Sequence, residues 1–371
     1  MRVVHVGKYY WPYRRGIETY LKLLCERLSR DVDLTVLVAH DSRHTVEEDV
    51  NGVRVIRLGR LAEIKSTSFC PALPRYLRRL APDIVHVHLP NPWAEACYYL
   101  AGTPGKLVVS FHSDIIRQKV LLRLHSPLHA RFLRRAARII VATPRHILHS
   151  PFLARLPREH CTVIPYGIDP GRFDVTPEMS AKAAELRSRL GTPLVLFVGQ
   201  LVYYKGIDVL LNAAARNHFH VAVVGGGALE NELRQRADAL DISDRVHFLG
   251  RLDDDELVAA YHACDLFCLP STQRSEAFGI VQLEAFAAGK PVVSTDLPSG
   301  VPWVNKHNET GLVVPPRDPE ALAHAIARIL NDSRLRESFG RHARERVCTT
   351  FTADRMAADT LAVYRDILAN A

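Results

Sequence analysis

Leu194-Val195-Leu196-Phe197-Val198-Gly199-Gln200-Leu201-Val202-Tyr203-Tyr204-Lys205-Gly206 reads as a strand, a turn and the approach to a helix. Five consecutive apolar residues, with no polar alternation, suit a strand covered on both faces, as in a parallel sheet. The turn would carry Lys205 and the first free helical N–H groups past the strand's carboxyl end. A lysine beside a helix N-terminus suits phosphate; a surface lysine in a turn is the plainer reading.

The same alternation runs outward in both directions. Strands are expected at 3–6, 34–38, 53–58, 84–88, 107–111, 139–141 and 161–164, then at 194–198, 220–224, 246–249, 266–269, 291–294 and 312–314. Helical periodicity falls between them, for instance at 17–29, 207–215, 229–239 and 320–330. Such alternation predicts α/β architecture with parallel sheets under helices. The pattern restarts near residue 193, after the Pro- and Gly-punctuated stretch 164–173. Two doubly wound domains follow, 1–168 and 169–351, with a closing helix over 352–371 expected to pack back across the linker. Ligands of such sheets bind past the carboxyl ends of the strands, so two facing sheets would share one cleft.

Composition narrows the classes. The chain has 371 residues, 47% hydrophobic and 24% charged, which suits two globular domains and excludes disorder and collagen-like repetition. The apolar runs fall short of the roughly 20 residues of a membrane-spanning helix. The start, MRVVHVGKYYWPYRRG, lacks a signal peptide's apolar core, so a cytoplasmic location is expected. Seven cysteines, scattered and never in CxxC spacing, read as reduced core thiols rather than as zinc ligands.

Charge is uneven. Residues 1–168 hold 26 Lys and Arg against 13 Asp and Glu, whereas residues 169–371 hold 22 against 27. Residues 115–158 contain no acid and ten basic residues. An anionic partner is therefore expected at the first half. From Arg117 to Arg138, seven basic residues interleave with Val120, Leu121, Leu122, Leu124, Leu128, Phe132 and Leu133. That pattern suits either an anionic membrane surface or a core helix with a solvated basic face. Nucleic acid is not expected, since no binding motif or aromatic stacking series accompanies the charge.

Several positions could carry chemistry. Glu276 and Glu284 straddle a loop-to-helix entry after the strand at 266–269, where carboxylates can accept from polyol hydroxyls. Glu276 could equally serve as an acidic helix start. Gly225, in Gly225-Gly226-Gly227, allows close backbone approach to a ligand or simply makes a turn; the spacing is not GxGxxG. Gly16 opens the first helix. His112, after the strand at 107–111, could donate to a hydroxyl or a developing charge. His86 and His88 share a strand face but lack a third metal ligand. Asp253-Asp254-Asp255 reads as an acidic helix start, so no metal is expected.

Together, VGQLVYYKGID, VHFLGRLDDDELVAAYHACDLFCLPS, SEAFGIVQLEAFAAGKPVVSTDLPSGVPWV and VNKHNETGLVVPP resemble glycosyltransferase family 4, the retaining transferases of GT-B fold, with a flavour of the bacterial mannosyl- and rhamnosyltransferases of surface polysaccharides. The resemblance implies two Rossmann-like domains around a cleft, the first for the acceptor and the second for a nucleotide sugar. It implies that Lys205 and Gln200 meet the donor diphosphate and that Glu276 meets the sugar. Ala277, Phe278, Gly279, Ile280 and Val281 would present backbone groups, Glu284 would hold the ribose, and Arg251 would lie beside the base. Gly16 would close on the diphosphate, His112 would sit near the reacting carbon, and Arg15, His88 and Asp114 would face the acceptor. Catalytic roles would fall to Glu276, His112 and Lys205, without cofactor or metal.

Two departures stand out: Gln200 where the family usually has arginine, and Arg15-Gly16 where it often has Gly-Gly. Arg15 could replace the missing cation. The reading is a hexosyl transfer from a nucleotide-diphosphate sugar, GDP-mannose-like first and UDP-linked second, to a glycan or lipid-linked acceptor. The enzyme is expected in the cytoplasm, or peripheral on the inner membrane face. The rivals are a GT-B-like epimerase and a non-enzymatic basic membrane-binding module.

Overall fold

The computed structural model describes residues 1–13, 16–65, 67–114 and 119–370. They form two compact units, Met1–Gly167 with Ala353–Ala371, and Ile168–Thr352.

The first unit holds β1 (Arg2–Val6), β2 (Asp33–Ala39), β3 (Val46–Val50), β4 (Val53–Leu58), β5 (Ala62–Ile64), β6 (Thr67–Phe69), β7 (Ile84–Leu89), β8 (Lys106–Phe111), β9 (Arg138–Val141) and β10 (Cys161–Val163). Eight of these make one sheet in the order β10-β9-β8-β7-β1-β2-β4-β3. All its pairs are parallel except β3 with β4. β3, Val-Glu-Glu-Asp-Val, is an edge that the hydrophobic pattern misses. It is held by Glu47 to Arg54 and Glu48 to Arg57 across the pair, and its charges suit an unpaired outer edge. The helices of this part are α1 (Gly16–Leu28), α2 (Leu73–Leu80), α3 (Pro92–Ala101), α4 (Lys119–Arg135) and α5 (Pro144–His149).

The second unit holds β11 (Leu194–Val198), β12 (His220–Val224), β13 (Val246–Gly250), β14 (Leu266–Leu269), β15 (Val292–Thr295) and β16 (Gly311–Val314). They form a wholly parallel sheet in the order β13-β12-β11-β14-β15-β16. Its order reverses direction at β11 and β14, the switch point where doubly wound sheets bind ligands. Its helices are α6 (Pro177–Leu190), α7 (Ile207–Ala214), α8 (Glu230–Ala239), α9 (Asp254–Ala263), α10 (Val281–Ala287), α11 (Val301–Val304), α12 (Pro319–Asn331) and α13 (Ser333–Thr350). β11 is fully buried, and Phe197, Leu210, Phe219 and Ile326 share one core cluster. The acidic run opens α9 as a capping box between Asp253 and Glu256, while Asp254 pairs with Arg172 at 2.9 Å.

The chain then returns to the first unit as α14 (Ala353–Ala369), packed on α1. Its Tyr364 enters a buried polar chain. Tyr166 Oη lies 2.5 Å from His112 Nδ1, His112 Nε2 lies 3.1 Å from His88 Nδ1, and His88 Nε2 lies 2.9 Å from His5 Nδ1. His5 Nε2 then meets Tyr364 Oη at 3.1 Å, Tyr364 Oη meets His86 Nδ1 at 2.5 Å, and His86 Nε2 meets Ser110 Oγ at 2.8 Å. A neutral imidazole has one donor and one acceptor. The whole chain is therefore satisfied if every proton points the same way along it, in either sense.

An added proton makes one imidazole a donor at both nitrogens and breaks a link. Burial already disfavours that proton, pushing His5 and His112 down to about 3 and His86 and His88 well below the usual histidine range. These histidines charge in the unfolded chain near pH 6.5 but not in the folded one. Stability is then fully present above that value and falls as the pH drops below it towards 3, by up to about 1.4 kcal/mol per pH unit for each histidine. Urea unfolding at pH 7.5, 6 and 5 should show this decline; a flat profile contradicts the neutral chain.

Candidate functional site

The second unit gathers polar groups at the carboxyl ends of β11 and β14. Lys205, in the turn between β11 and α7, places Nζ 2.6 Å from Glu276 Oε2. Ser271, two residues past β14, donates from Oγ to the same oxygen at 3.1 Å. Lys205 and Glu276 are 9% and 8% exposed, deep enough that an unpaired charge would be costly. Burial lowers the lysine's proton affinity, yet the adjacent carboxylate outweighs it, so the Lys205 pKa is raised and the ammonium stays charged. Removing one member of such a pair leaves the other buried and uncompensated, at a cost of about 3–5 kcal/mol.

Glycines set this turn. Lys205 Nζ lies 3.4 Å from where a Cβ on Gly199 would stand. Gly206, at φ +68°, brings its backbone against Pro270, whose carbonyl would lie 2.0 Å from an added Cβ. The neighbouring turn has its own reason for Gly225. A Cβ there would meet the Gly199 carbonyl oxygen at 2.0 Å. The glycine thus permits contact between two backbone turns, and Gly199 N–H and Gly225 N–H extend the ladder to Val224 and Gly250.

The segment after Glu276 is partly open. Phe278 and Gly279 are buried, while Ala277, Ile280 and Val281 are half-buried. Among the described residues, the N–H groups of Ala277, Gly279 and Ile280 have no intramolecular partner. Glu284, on α10, accepts from Tyr261 Oη at 2.7 Å. Burial raises its pKa, against the pull of that hydrogen bond and of Arg172. Gln200 and Arg251 are exposed, just past β11 and at the end of β13. Ser271 and Tyr261 were not singled out from sequence. Ser271's position two residues past a buried strand was the available signal; Tyr261 had none, since its partner lies on another helix.

The first unit distributes its predicted residues differently. Gly16 is exposed as the first residue of α1, and Arg15 lies outside the described residues. Asp114 is half-buried and accepts from Ser150 Oγ at 2.8 Å. His112 and His88, expected beside ligands, are each 2% exposed with both ring nitrogens in the histidine–tyrosine chain. Their imidazoles therefore present no free donor, because neighbouring histidines and Tyr166 have already taken both nitrogens. A depression past β1 and β2, lined by Gly7, Lys8, Ala39, Pro90, Asn91 and Trp93, includes none of the predicted acceptor residues.

The basic amphipathic stretch also divides. Phe132 and Leu133 point into the core, with Leu128 half-buried. Arg123, Leu124, Arg131, Arg134 and Arg135 are exposed. Arg117 and the side chains of Val120, Leu121 and Leu122 lie outside the described residues. Among the described residues no helix is long and apolar enough to cross a membrane.

This geometry meets clear relatives. Residues 14–172 match the family described as Glycosyltransferase Family 4, and residues 179–346 match Glycosyl transferases group 1. The D-rhamnosyltransferase WbpZ of Pseudomonas aeruginosa is 38% identical over 95% of this chain and 93% of its own. The O-antigen chain mannosyltransferase C of Escherichia coli is 33% identical over 99% of both. In fold, the chain is similar to sucrose-phosphate synthase from Thermosynechococcus elongatus, with TM-score 0.83, 23% identity and coverage of 100% of this chain and 99% of that one. Two parallel-sheet units of this order, with relatives that span the whole length, make the chain a member of glycosyltransferase family 4 and a glycosyltransferase of GT-B fold.

Proposed function

We propose that the enzyme transfers a hexosyl group, with retention, from a nucleotide-diphosphate sugar to a glycan or lipid-linked acceptor of a surface polysaccharide. The Lys205–Glu276 pair at 2.6 Å past the switch-point strands carries this reading. Sugar transfer builds negative charge on the departing diphosphate and positive character on the anomeric carbon. Lys205 supplies a cation kept protonated by its carboxylate neighbour, and two of its three N–H bonds remain for phosphate oxygens. Preorganised donors of this kind act without reorganising during the reaction. Glu276 Oε2 is held by Lys205 and Ser271, and Oε1, with no partner among the described residues, is left to accept from a sugar hydroxyl. The unpartnered loop N–H groups of Ala277, Gly279 and Ile280 add donors just after Glu276.

In this reading Glu276 orients the sugar and does not attack it. The donor's own phosphate oxygen takes the acceptor proton as the acceptor enters from the leaving-group face. Glu284 holds the ribose and Arg251 lies beside the base. GDP-mannose is the first choice of donor, supported by the E. coli relative's name as a mannosyltransferase; a UDP-sugar is second. The reaction needs no metal. The acidic run at 253–255 is committed to capping α9 and to the pairs with Arg172 and Lys182, which supports that view.

The acceptor falls to the first unit, whose exposed arginines on α4 suit an anionic lipid surface. Phe132 and Leu133 of α4 are used by the core, so the contact is mainly electrostatic, with Leu124, 78% exposed, as an apolar anchor.

Three outcomes follow. Lys205→Ala should lower kcat/KM by at least about 100-fold, the scale of losing one preorganised donor, with the far-UV spectrum retained; transfer at the normal rate removes the lysine from the mechanism. In EDTA, a thermal-shift panel of GDP, UDP, ADP and dTDP should single out one nucleotide, GDP first, adding about 2.7 kcal/mol at 100 times its Kd. No shift with any of the four sinks the metal-free donor site. Vesicles with anionic lipid should retain the enzyme at low salt and release it as ionic strength rises, and replacing Arg131, Arg134 and Arg135 by glutamine should abolish retention. Indifference to lipid charge ends the membrane reading.

A further inference from the structure

We propose that Glu95, His125 and His129 form a structural site for one divalent transition-metal ion of the zinc class, tying α4 to α3 in the first unit. Glu95 lies in the first turn of α3 and is wholly buried. His125 and His129 stand one turn apart on α4. His125 Nε2 lies 2.9 Å from Glu95 Oε2, while His129 Nδ1 lies 3.0 Å from the same oxygen and 3.1 Å from Oε1. The three ligand atoms fall within 4.8 Å of one another. Around a tetrahedral zinc, with Zn–N and Zn–O bonds of about 2.0–2.2 Å, ligand atoms sit about 3.3 Å apart. The present spacings need only a small expansion to admit the ion.

The local sequence prepares this convergence. Two histidines at i and i+4 share one helix face. They reach the common point with different nitrogens, Nε2 from the first and Nδ1 from the second. Pro127 lies between them inside α4. It cannot bond the carbonyl of Arg123, and Ser126 Oγ takes that carbonyl at 3.0 Å instead. A wholly buried carboxylate needs compensating charge. Two imidazole donors supply hydrogen bonds to it, and a divalent ion supplies the charge as well. The exposed Arg123, Arg131, Arg134 and Arg135 face solvent, which screens their repulsion of the ion. Histidine nitrogen with one carboxylate selects zinc-like ions over magnesium or calcium.

A second cluster, His5, His86 and His88, lies equally close together but fails the same test. His86 and His88 are stacked with their planes only 22° apart, so their in-plane lone pairs do not meet at a point. Each of these ring nitrogens is also engaged in the histidine–tyrosine chain.

The ion is remote in role from sugar transfer and is tested apart from it. The full chain, stripped with EDTA and dialysed, is titrated with Co²⁺ alone and with Zn²⁺ alone. Expected are one equivalent of either, a visible absorption band of tetrahedral Co²⁺, and a raised melting temperature. His125→Ala, at a half-exposed position, should keep the circular dichroism of the parent and weaken uptake by at least about 10-fold. Glu95→Gln should do the same where it folds. His342→Ala, on the exposed side of another helix, should leave uptake unchanged. Absence of Co²⁺ uptake by the folded parent overturns the proposal, as does uptake that His125→Ala leaves intact; either result makes the cluster a hydrogen-bonded triad only.

Discussion

A buried ammonium and a buried carboxylate tolerate the same small space only because each offsets the other's loss of water. That constraint organises the second unit around Lys205 and Glu276. The two residues come from turns after β11 and β14, and a 2.6 Å contact requires those strand ends to stay adjacent. The close backbone approaches at Gly206 and Gly225 hold the turns in register. Glycine there is a demand of the protein's own backbone, which lets the side chains of Lys205, Glu276 and Ser271 converge beside it.

The first unit answers the same problem without charge. Its histidines are buried on adjacent strands, but they remain neutral and pass hydrogen bonds from Tyr166 to Ser110. The two tyrosines of that chain have structural meaning. Tyr166 precedes the point where the polypeptide leaves the unit, and Tyr364 lies on the helix that brings it back. Both crossings of the chain are thereby anchored to the same sheet. Buried polar networks of this kind are stabilising only when complete, and here every ring nitrogen has a partner.

Much of this was legible in the residues, for reasons that differ by element. The runs at 194–198 and 266–269 are apolar without alternation, so they announced buried parallel strands, and Lys205 and Glu276 could be placed past their ends by counting. β3 was not legible, because an acidic edge strand has no apolar face to reveal it. The partners of His112 and His88 were hidden for another reason. They lie on segments distant in sequence, and a lone histidine at a strand end looks the same whether its nitrogens are free or taken. Glu95 pairs with His125 and His129 across about 30 residues, so only the packing of α3 on α4 brings that cluster into view.

The division of α4 bears on how a helix packed into a core can work at a charged surface. An amphipathic pattern in sequence does not say which environment receives the apolar side. Phe132 and Leu133 are consumed by the core, so insertion of this helix into lipid would require unpacking the unit that carries it. Exposed beside Leu124 is a row of arginines, and the attraction of such a row to anionic headgroups is long-ranged, reversible and salt-sensitive. In the membrane reading proposed above, such contact would concentrate the enzyme near a lipid-linked acceptor while leaving its fold intact, and product could leave without extracting a helix from the bilayer. Pinning α4 to α3 through Glu95, His125 and His129 keeps that row in a fixed orientation.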